Sequence, residues 1–184
     1  MEMPAFLDEK IINSILNKLG EEKIFKIISF SELYKCLNEQ ENHLIKSFLK
    51  LNPRNYGFRG KFLGVGPVPK NLVNIDGQFL TESALAAFLG MNEALESDVG
   101  KKLVIFSGYR SPAYQAIVFL RCLKENSFDF LRTTKGVTFP GFSEHSDPKN
   151  SAIDICTTDD ILSKTVGPKN FEKTIEYEWL TQNA

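Results

Sequence analysis

Two short stretches of this chain carry side chains able to do chemistry. In Pro140-Gly141-Phe142-Ser143-Glu144-His145 an imidazole follows a Gly-containing turn. A little further on, Ala152-Ile153-Asp154-Ile155 sets a carboxylate inside an apolar, strand-like run. Imidazole nitrogen and carboxylate oxygen are ordinary zinc ligands, and a catalytic zinc takes three protein ligands and a water. Strand alternation puts Ala152, Asp154 and Cys156 on one face. Asp154 is then expected at the inner edge of a sheet, where an ionised group needs a partner or a metal. The residues alone leave a second reading open, a neutral His–Asp hydrogen bond that ties the loop down.

The other stretch is Ser107-Gly108-Tyr109-Arg110-Ser111-Pro112-Ala113-Tyr114-Gln115. Before it, Leu103-Val104-Ile105-Phe106 is apolar at consecutive positions, which predicts a strand buried on both faces. Gly108 permits a sharp turn, Ser111 is a strong N-cap and Pro112 suits the first helical position. Arg110 is thereby held beside a helix N-terminus, where unpaired N–H groups and the dipole favour an anion. Gln115, one turn in, faces the same spot. Such a set suits a substrate carboxylate or a developing oxyanion. Pairing of Arg110 with a structural carboxylate is the alternative.

The elements that must position these residues read as helices with a small sheet. Phe6, Ile11, Ile12, Ile15, Leu16 and Leu19 recur at helical spacing, with Gly20 as a stop. Ser31 is expected to cap a second helix whose apolar face includes Leu33, Leu37, Leu44, Ile45 and Phe48. His43 lies there as a solvated or packing histidine. Asn52 to Gly77 is rich in Gly and Pro and reads as an irregular loop with extended pieces at Phe62–Val65 and Leu72–Ile75. It lacks Gly-Lys-Ser/Thr, which argues against a phosphate-binding loop. Thr81 caps a helix to about Ser97, Thr133–Pro140 reads as loop or short strand, Ala152–Cys156 as strand, and Phe171–Ala184 as a closing helix. Glu176 and Glu178 are placed on its solvated face, and Asp147 reads as a turn residue before Pro148.

Composition narrows the function classes. The chain has 184 residues, 42% hydrophobic and 24% charged, enough for a globular core. A formal net charge of -1 gives no strong field for nucleic acid or an anionic membrane, and no apolar run is long enough to span a bilayer. The start, Met1-Glu2-Met3-Pro4, lacks a basic and an apolar signal region, so a cytoplasmic product or a processed envelope protein is expected. Cys36, Cys122 and Cys156 are widely spaced and odd in number, which favours buried thiols over a disulfide framework.

Both motifs together are similar to those of the zinc D-alanyl-D-alanine carboxypeptidases of the VanY type, which carry S-G-Y-R-S-x-x-x-Q and a P-G-x-S-E-H loop followed by A-x-D-I. Weaker likeness runs from Val68-Pro69-Lys70-Asn71-Leu72 to Asn183-Ala184. The resemblance implies an α+β fold with helices packed on a small, mostly antiparallel sheet, in a peptidase domain over 61–184 preceded by a helical segment over 1–60. It implies Zn2+ as cofactor with His145 and Asp154 as ligands. Arg110 would bind substrate or stabilise the transition state, and Tyr109, Gln115 and Ser143 would line the site. The implied substrate is a peptidoglycan stem peptide, cleaved at its terminal peptide bond.

Two departures qualify that resemblance. Family members complete the metal site with a downstream His and a Glu that acts as general base, and neither is matched here. The domain is therefore expected to be incomplete at its C-terminal side and inactive as this chain. A non-catalytic binding domain that keeps the fold is the alternative. The spacing from His145 to Asp154 is also longer than in the family pattern, which loop closure tolerates at small cost.

Overall fold

In a computed structural model, residues 4–20, 26–159 and 170–183 are described. They divide into two compact units, one formed by 1–69 with 110–148 and the other by 70–109 with 149–184. The chain therefore changes unit between Tyr109 and Arg110, and again between Pro148 and Lys149.

The first unit is helical because its sequence is dense in caps. Helix α1 (Glu9–Leu19) begins where the Asp8 carboxylate accepts from the Lys10 and Ile11 N–H groups, and stops at Gly20 with φ +57°. The single helix expected after Ser31 is two, α2 (Phe30–Cys36) and α3 (Glu39–Leu49). Ser29, not Ser31, caps α2 in a reciprocal box with Glu32, and Asn38 does the same for α3 with Glu41. A cap with its own box interrupts a helix that apolar periodicity alone would carry through. Helix α5 (Pro112–Glu125) and helix α6 (Phe130–Gly136) follow in the unit, while α4 (Glu82–Val99) belongs to the other. Residues Thr133–Gly136, expected in a loop or strand, are helical because Asp129 caps α6 through the Arg132 N–H and the Thr133 hydroxyl bonds back to the Asp129 carbonyl. The core joins Ile12, Ile15, Leu44, Ile45 and Phe48 to Ala116, Phe119, Leu120 and Phe139. Phe119 packs its ring 4.8 Å from Phe48, 5.1 Å from Phe139 and 5.7 Å from Phe130, and Phe139 also meets Phe48, Tyr56, Phe58 and Phe130.

Among the described residues, two two-stranded antiparallel sheets make up the β structure of the second unit. Strands β1 (Leu72–Ile75) and β2 (Gln78–Thr81) are joined by Asp76-Gly77, both at positive φ, the turn that matches strand twist in a two-residue hairpin. Thr81 caps α4 (Glu82–Val99) through the Ala84 N–H. Strands β3 (Leu103–Ser107) and β4 (Asp154–Thr157) pair in the second sheet. Asn92 of α4 fixes the start of β3, donating to the Leu103 carbonyl at 2.8 Å and accepting from its N–H at 2.9 Å. Helix α7 (Ile175–Asn183) packs Trp179 and Leu180 toward Phe88, Leu95 and Leu103, and the Trp179 indole donates to Asp98 at 2.7 Å. The class is α+β, as the sequence implies. One detail differs: β3 is not covered on both faces, since Phe106 is 41% exposed. Among the described residues, no helix is long and apolar enough to cross a membrane.

Two buried polar residues hold the first unit's helices in place. Glu41 of α3 is 1% exposed and accepts from Lys18 and Ser14 of α1, each at 2.7 Å, and from the Asn38 N–H. Burial pushes its carboxyl up. The hydrogen bonds from Lys18, the Asn38 backbone and Ser14, with the Lys18 charge, outweigh that and hold it below the ordinary 4.5. Ser111 caps α5 through the Tyr114 N–H. It also donates its hydroxyl to the Ile28 carbonyl at 2.6 Å and its N–H to the Lys26 carbonyl at 2.8 Å.

Glu41→Gln should therefore lower stability by about 1–3 kcal/mol in urea titrations at pH 7. Because the folded value lies below the unfolded one, the carboxylate's contribution is complete above about 4.5 and fades as pH falls through the lowered value. The gap between the two proteins should close in the same acid range; a gap unchanged by acid would rule out the ionic latch. Ser111→Ala should cost about 2 kcal/mol by the same titration, from the lost cap and the stranded Ile28 carbonyl, whereas Ser111→Thr should keep most of it.

Candidate functional site

The helical unit carries Arg110, Gln115, Ser143 and His145 of the residues singled out in the sequence. After Phe139 the backbone turns at Gly141 (φ +81°), and the Gly141 carbonyl accepts from the Leu63 and Gly64 N–H groups at 2.7 and 3.3 Å. A Cβ at Gly141 would lie 2.8 Å from the Phe62 ring and 3.0 Å from the Gly64 carbonyl oxygen, so only glycine admits this approach. The loop is thus strapped by the 62–65 segment just before it reaches Ser143. A short 3-10 turn, Glu144–Ser146, then presents His145 and closes with the Ser146 N–H on the Ser143 carbonyl at 2.8 Å. Ser143 and His145 are buried and Glu144 is exposed.

The two sequence motifs meet at the Arg110 peptide. Its N–H donates to the His145 carbonyl at 2.9 Å, and the Ser146 hydroxyl donates to its carbonyl at 2.7 Å. One residue on, Ser111 anchors the first turn of α5. Arg110, half-buried, is therefore fixed by backbone on both sides, and its guanidinium is a rigid fork of donors. Sequence reasoning passes over Ser146, whose place directly after His145 in the loop is the available signal. Gln115 is 1% exposed and donates its side-chain amide to the Thr138 carbonyl at 2.8 Å. It thereby ties α5 to the segment that leads into the His145 loop. Its amide oxygen is buried with no hydrogen-bond partner among the described residues.

Asp154 and Tyr109 belong to the second unit. Asp154 opens β4 opposite Ser107, at the point where the β3–β4 register slips between Ile105 and Ser107. A slip of this kind re-aims side chains at a strand end. It accounts for one departure from the alternation argument: Asp154 is exposed, not inward-facing, while Cys156, two residues on, is buried. Gly108 follows Ser107, and a Cβ there would run into the Phe79 carbonyl oxygen. That same oxygen accepts from the Tyr109 N–H. Tyr109 is 1% exposed, and burial pushes its phenol up to about 12, so it stays a neutral donor at any ordinary pH. On α7, Glu178 is exposed as expected, but Glu176 is 6% exposed and not on the solvated face.

The donor chemistry matches zinc in kind and falls short in number. His145 and Asp154 are of the right types, but no group of three His, Cys, Asp or Glu side chains gathers among the described residues. His43, on α3, is exposed with its ring 3.4 Å from the Ser47 hydroxyl. None of the three cysteines is in a disulfide; Cys156 is buried as expected and Cys122 partly so, but Cys36 is exposed near the end of α2.

The sequence profile of the family described as "VanY: D-alanyl-D-alanine carboxypeptidase" matches residues 77–184. No curated protein sequence matches the chain. Similar solved structures include the LdcB LD-carboxypeptidase, described as revealing the molecular basis of peptidoglycan recognition (25% identity, TM-score 0.48, covering 70% of this chain and 56% of that one). They also include VanYB in complex with D-alanine-D-alanine (20% identity, TM-score 0.47, 61% and 60% covered). A third is a mutant of the vancomycin-resistance D,D-pentapeptidase VanY in complex with Zn(II) (21% identity, TM-score 0.45, 61% of each chain). The chain thus spans 56–61% of the length of these structures. A profile match over more than half of the sequence, holding both motifs from Ser107 to Asp154 in order, makes this chain a member of the VanY family of D-alanyl-D-alanine carboxypeptidases.

Proposed function

We propose that this chain supplies the peptide-holding part of a zinc D,D-carboxypeptidase site for peptidoglycan stem peptides, and that its 184 residues hold such a peptide without cleaving it. The observation that carries the reading is the Arg110 clamp, because it joins the two family motifs through hydrogen bonds of 2.9 and 2.7 Å. In this reading the Arg110 guanidinium takes the peptide's terminal carboxylate in a two-pronged contact, helped by the positive end of α5. Ser143 lines the same place, and Tyr109 serves as a neutral hydroxyl donor. Gln115 acts as a positioning residue through Thr138. His145 and Asp154 each contribute one donor to zinc by their place in the family motifs. The lack of a third donor near them among the described residues favours binding over turnover.

Zinc titration calorimetry at neutral pH, on this chain and on His145→Ala, tests the metal assignment. Two donors should give binding weaker than micromolar that is weaker still in the variant. A tight 1:1 site would overturn the two-donor reading, and binding indifferent to His145 would remove it as a ligand. For the peptide, Arg110→Ala should weaken N-acetyl-D-Ala-D-Ala binding about ten- to hundredfold, with Arg110→Lys in between. Equal affinity in all three proteins would refute the carboxylate role.

A further inference from the structure

A recess beside the His145 loop has no part in the reading above. Its walls are Phe48 and Leu49 from the end of α3, Leu51 and Pro53 just beyond that helix, Phe62 and Val65 from the strap, and Phe139, Pro140 and Phe142 from the loop itself. Phe48 and Phe139 are each 2% exposed, so they belong to its floor, while Phe62 is 57% and Val65 43% exposed. The cavity is about 80 Å³. A closed cavity of roughly 150 Å³ holds benzene, so this one is sized for a single aliphatic side chain. Six of the nine wall residues precede residue 77, where the family match begins. The recess is therefore a property of this chain and not of the matched region alone.

The segment that builds it has a marked charge. From Asn42 to Pro69 there are five Lys or Arg residues (Lys46, Lys50, Arg54, Arg59, Lys61) and no Asp or Glu, in a chain of net charge -1. Three of these cations adjoin wall residues in the chain: Lys50 between Leu49 and Leu51, Arg54 after Pro53, and Lys61 before Phe62. All three are exposed, and among the described residues none forms an ion pair. An apolar recess with an unneutralised basic rim is complementary to a chain that offers an apolar side chain flanked by carboxylates.

We propose that this recess is a specificity subsite for an acidic peptide substrate, receiving one apolar side chain upstream of the bond held at His145. Lys50, Arg54 and Lys61 attract the carboxylates around that side chain. The proposal rests on the peptide-binding reading and adds what that peptide must carry. Reach supports it: His145 lies three residues after Phe142, so their Cα atoms are at most about 11 Å apart, the length of about three extended peptide residues. The side chain read by the recess therefore belongs within a few residues of the terminal bond.

The test uses N-acetyl hexapeptides ending in D-Ala-D-Ala that carry one glutamate and a single leucine moved through successive upstream positions. An all-glycine control and N-acetyl-D-Ala-D-Ala complete the set. Binding is measured by calorimetry at low and high salt. One leucine position should bind about tenfold more tightly than the glycine control, from a few buried methylenes. Phe62→Ala should erase that gain, and Lys61→Glu should weaken the acidic peptide about fivefold at low salt only. Lys61 is exposed and lies outside the 62–65 strap, so Lys61→Glu should leave affinity for the short dipeptide unchanged, and in Phe62→Ala the leucine gain is read against the glycine control in the same variant. Gains absent at every position, or surviving both substitutions, would overturn the subsite. Failure of the short dipeptide to bind, with the leucine gain intact, would instead overturn the D-Ala-D-Ala reading. Binding to anionic lipid vesicles that both substitutions abolish, with no leucine gain, would reassign the patch to a membrane surface.

Discussion

The peptide unit of Arg110 is the constraint on which the candidate residues of the helical unit depend. Its N–H and its carbonyl are both engaged by the His145 loop, and the next residue anchors α5 onto the 26–28 segment. A buried backbone group left unpaired costs as much as a lost hydrogen bond, so these bonds hold the arginine and the histidine in fixed relation. No direct contact between the two side chains is needed for this. The motif letters are close in sequence to catalytic chemistry, but several of them serve as backbone carpentry: Ser111 as a cap, Ser146 as a clamp, Gln115 as a tie to Thr138.

That division explains what could be read from the sequence and what could not. Caps and stops act within a few residues, so Gly20, Thr81 and Ser111 are legible and bound their helices as expected. The α2–α3 break is harder, since Ser29 and Ser31 are equally good caps on paper and only the reciprocal bond with Glu32 decides between them. Thr133 and Thr134 carry β propensity, yet the Asp129 cap outweighs it. Strict alternation mis-sets Asp154 because it assumes an unbroken ladder, and the slip opposite Ser107 breaks it. The burial of Glu176 likewise depends on packing across distant segments, to which a local solvated-face argument is blind.

The strap at 62–65 shows how a segment outside the family match can still shape the site. Two N–H groups converge on one carbonyl at Gly141, and the missing Cβ there lets Phe62 and Val65 close in. Phe62 then packs its ring 5.1 Å from Phe142, and Phe58 sits 5.6 Å from the same ring. These rings stiffen the entry to Ser143 and His145 from the side opposite the Arg110 clamp in sequence. The loop is thus held at both its start and its end by bonds to distant parts of the chain.

Because the chain passes between units at Tyr109–Arg110, the S-G-Y-R motif divides its labour at that bond. Ser107, Gly108 and Tyr109 are spent on sheet structure: Ser107 faces Asp154 across the register slip, and Tyr109 bonds to Phe79. Arg110 and Ser111 are spent on helix and loop structure. A motif that reads as one functional word is physically two anchors joined by one peptide bond, and each anchor carries one of the two metal-type donors in its own unit. The two anchors set a joint demand on the stretch. Gly108 must stay small for Phe79, and Arg110 must keep a backbone geometry that serves His145. A side chain at Gly108 would press on the Phe79 backbone, whereas a change of side chain at Arg110 leaves its main-chain bonds to His145 and Ser146 in place.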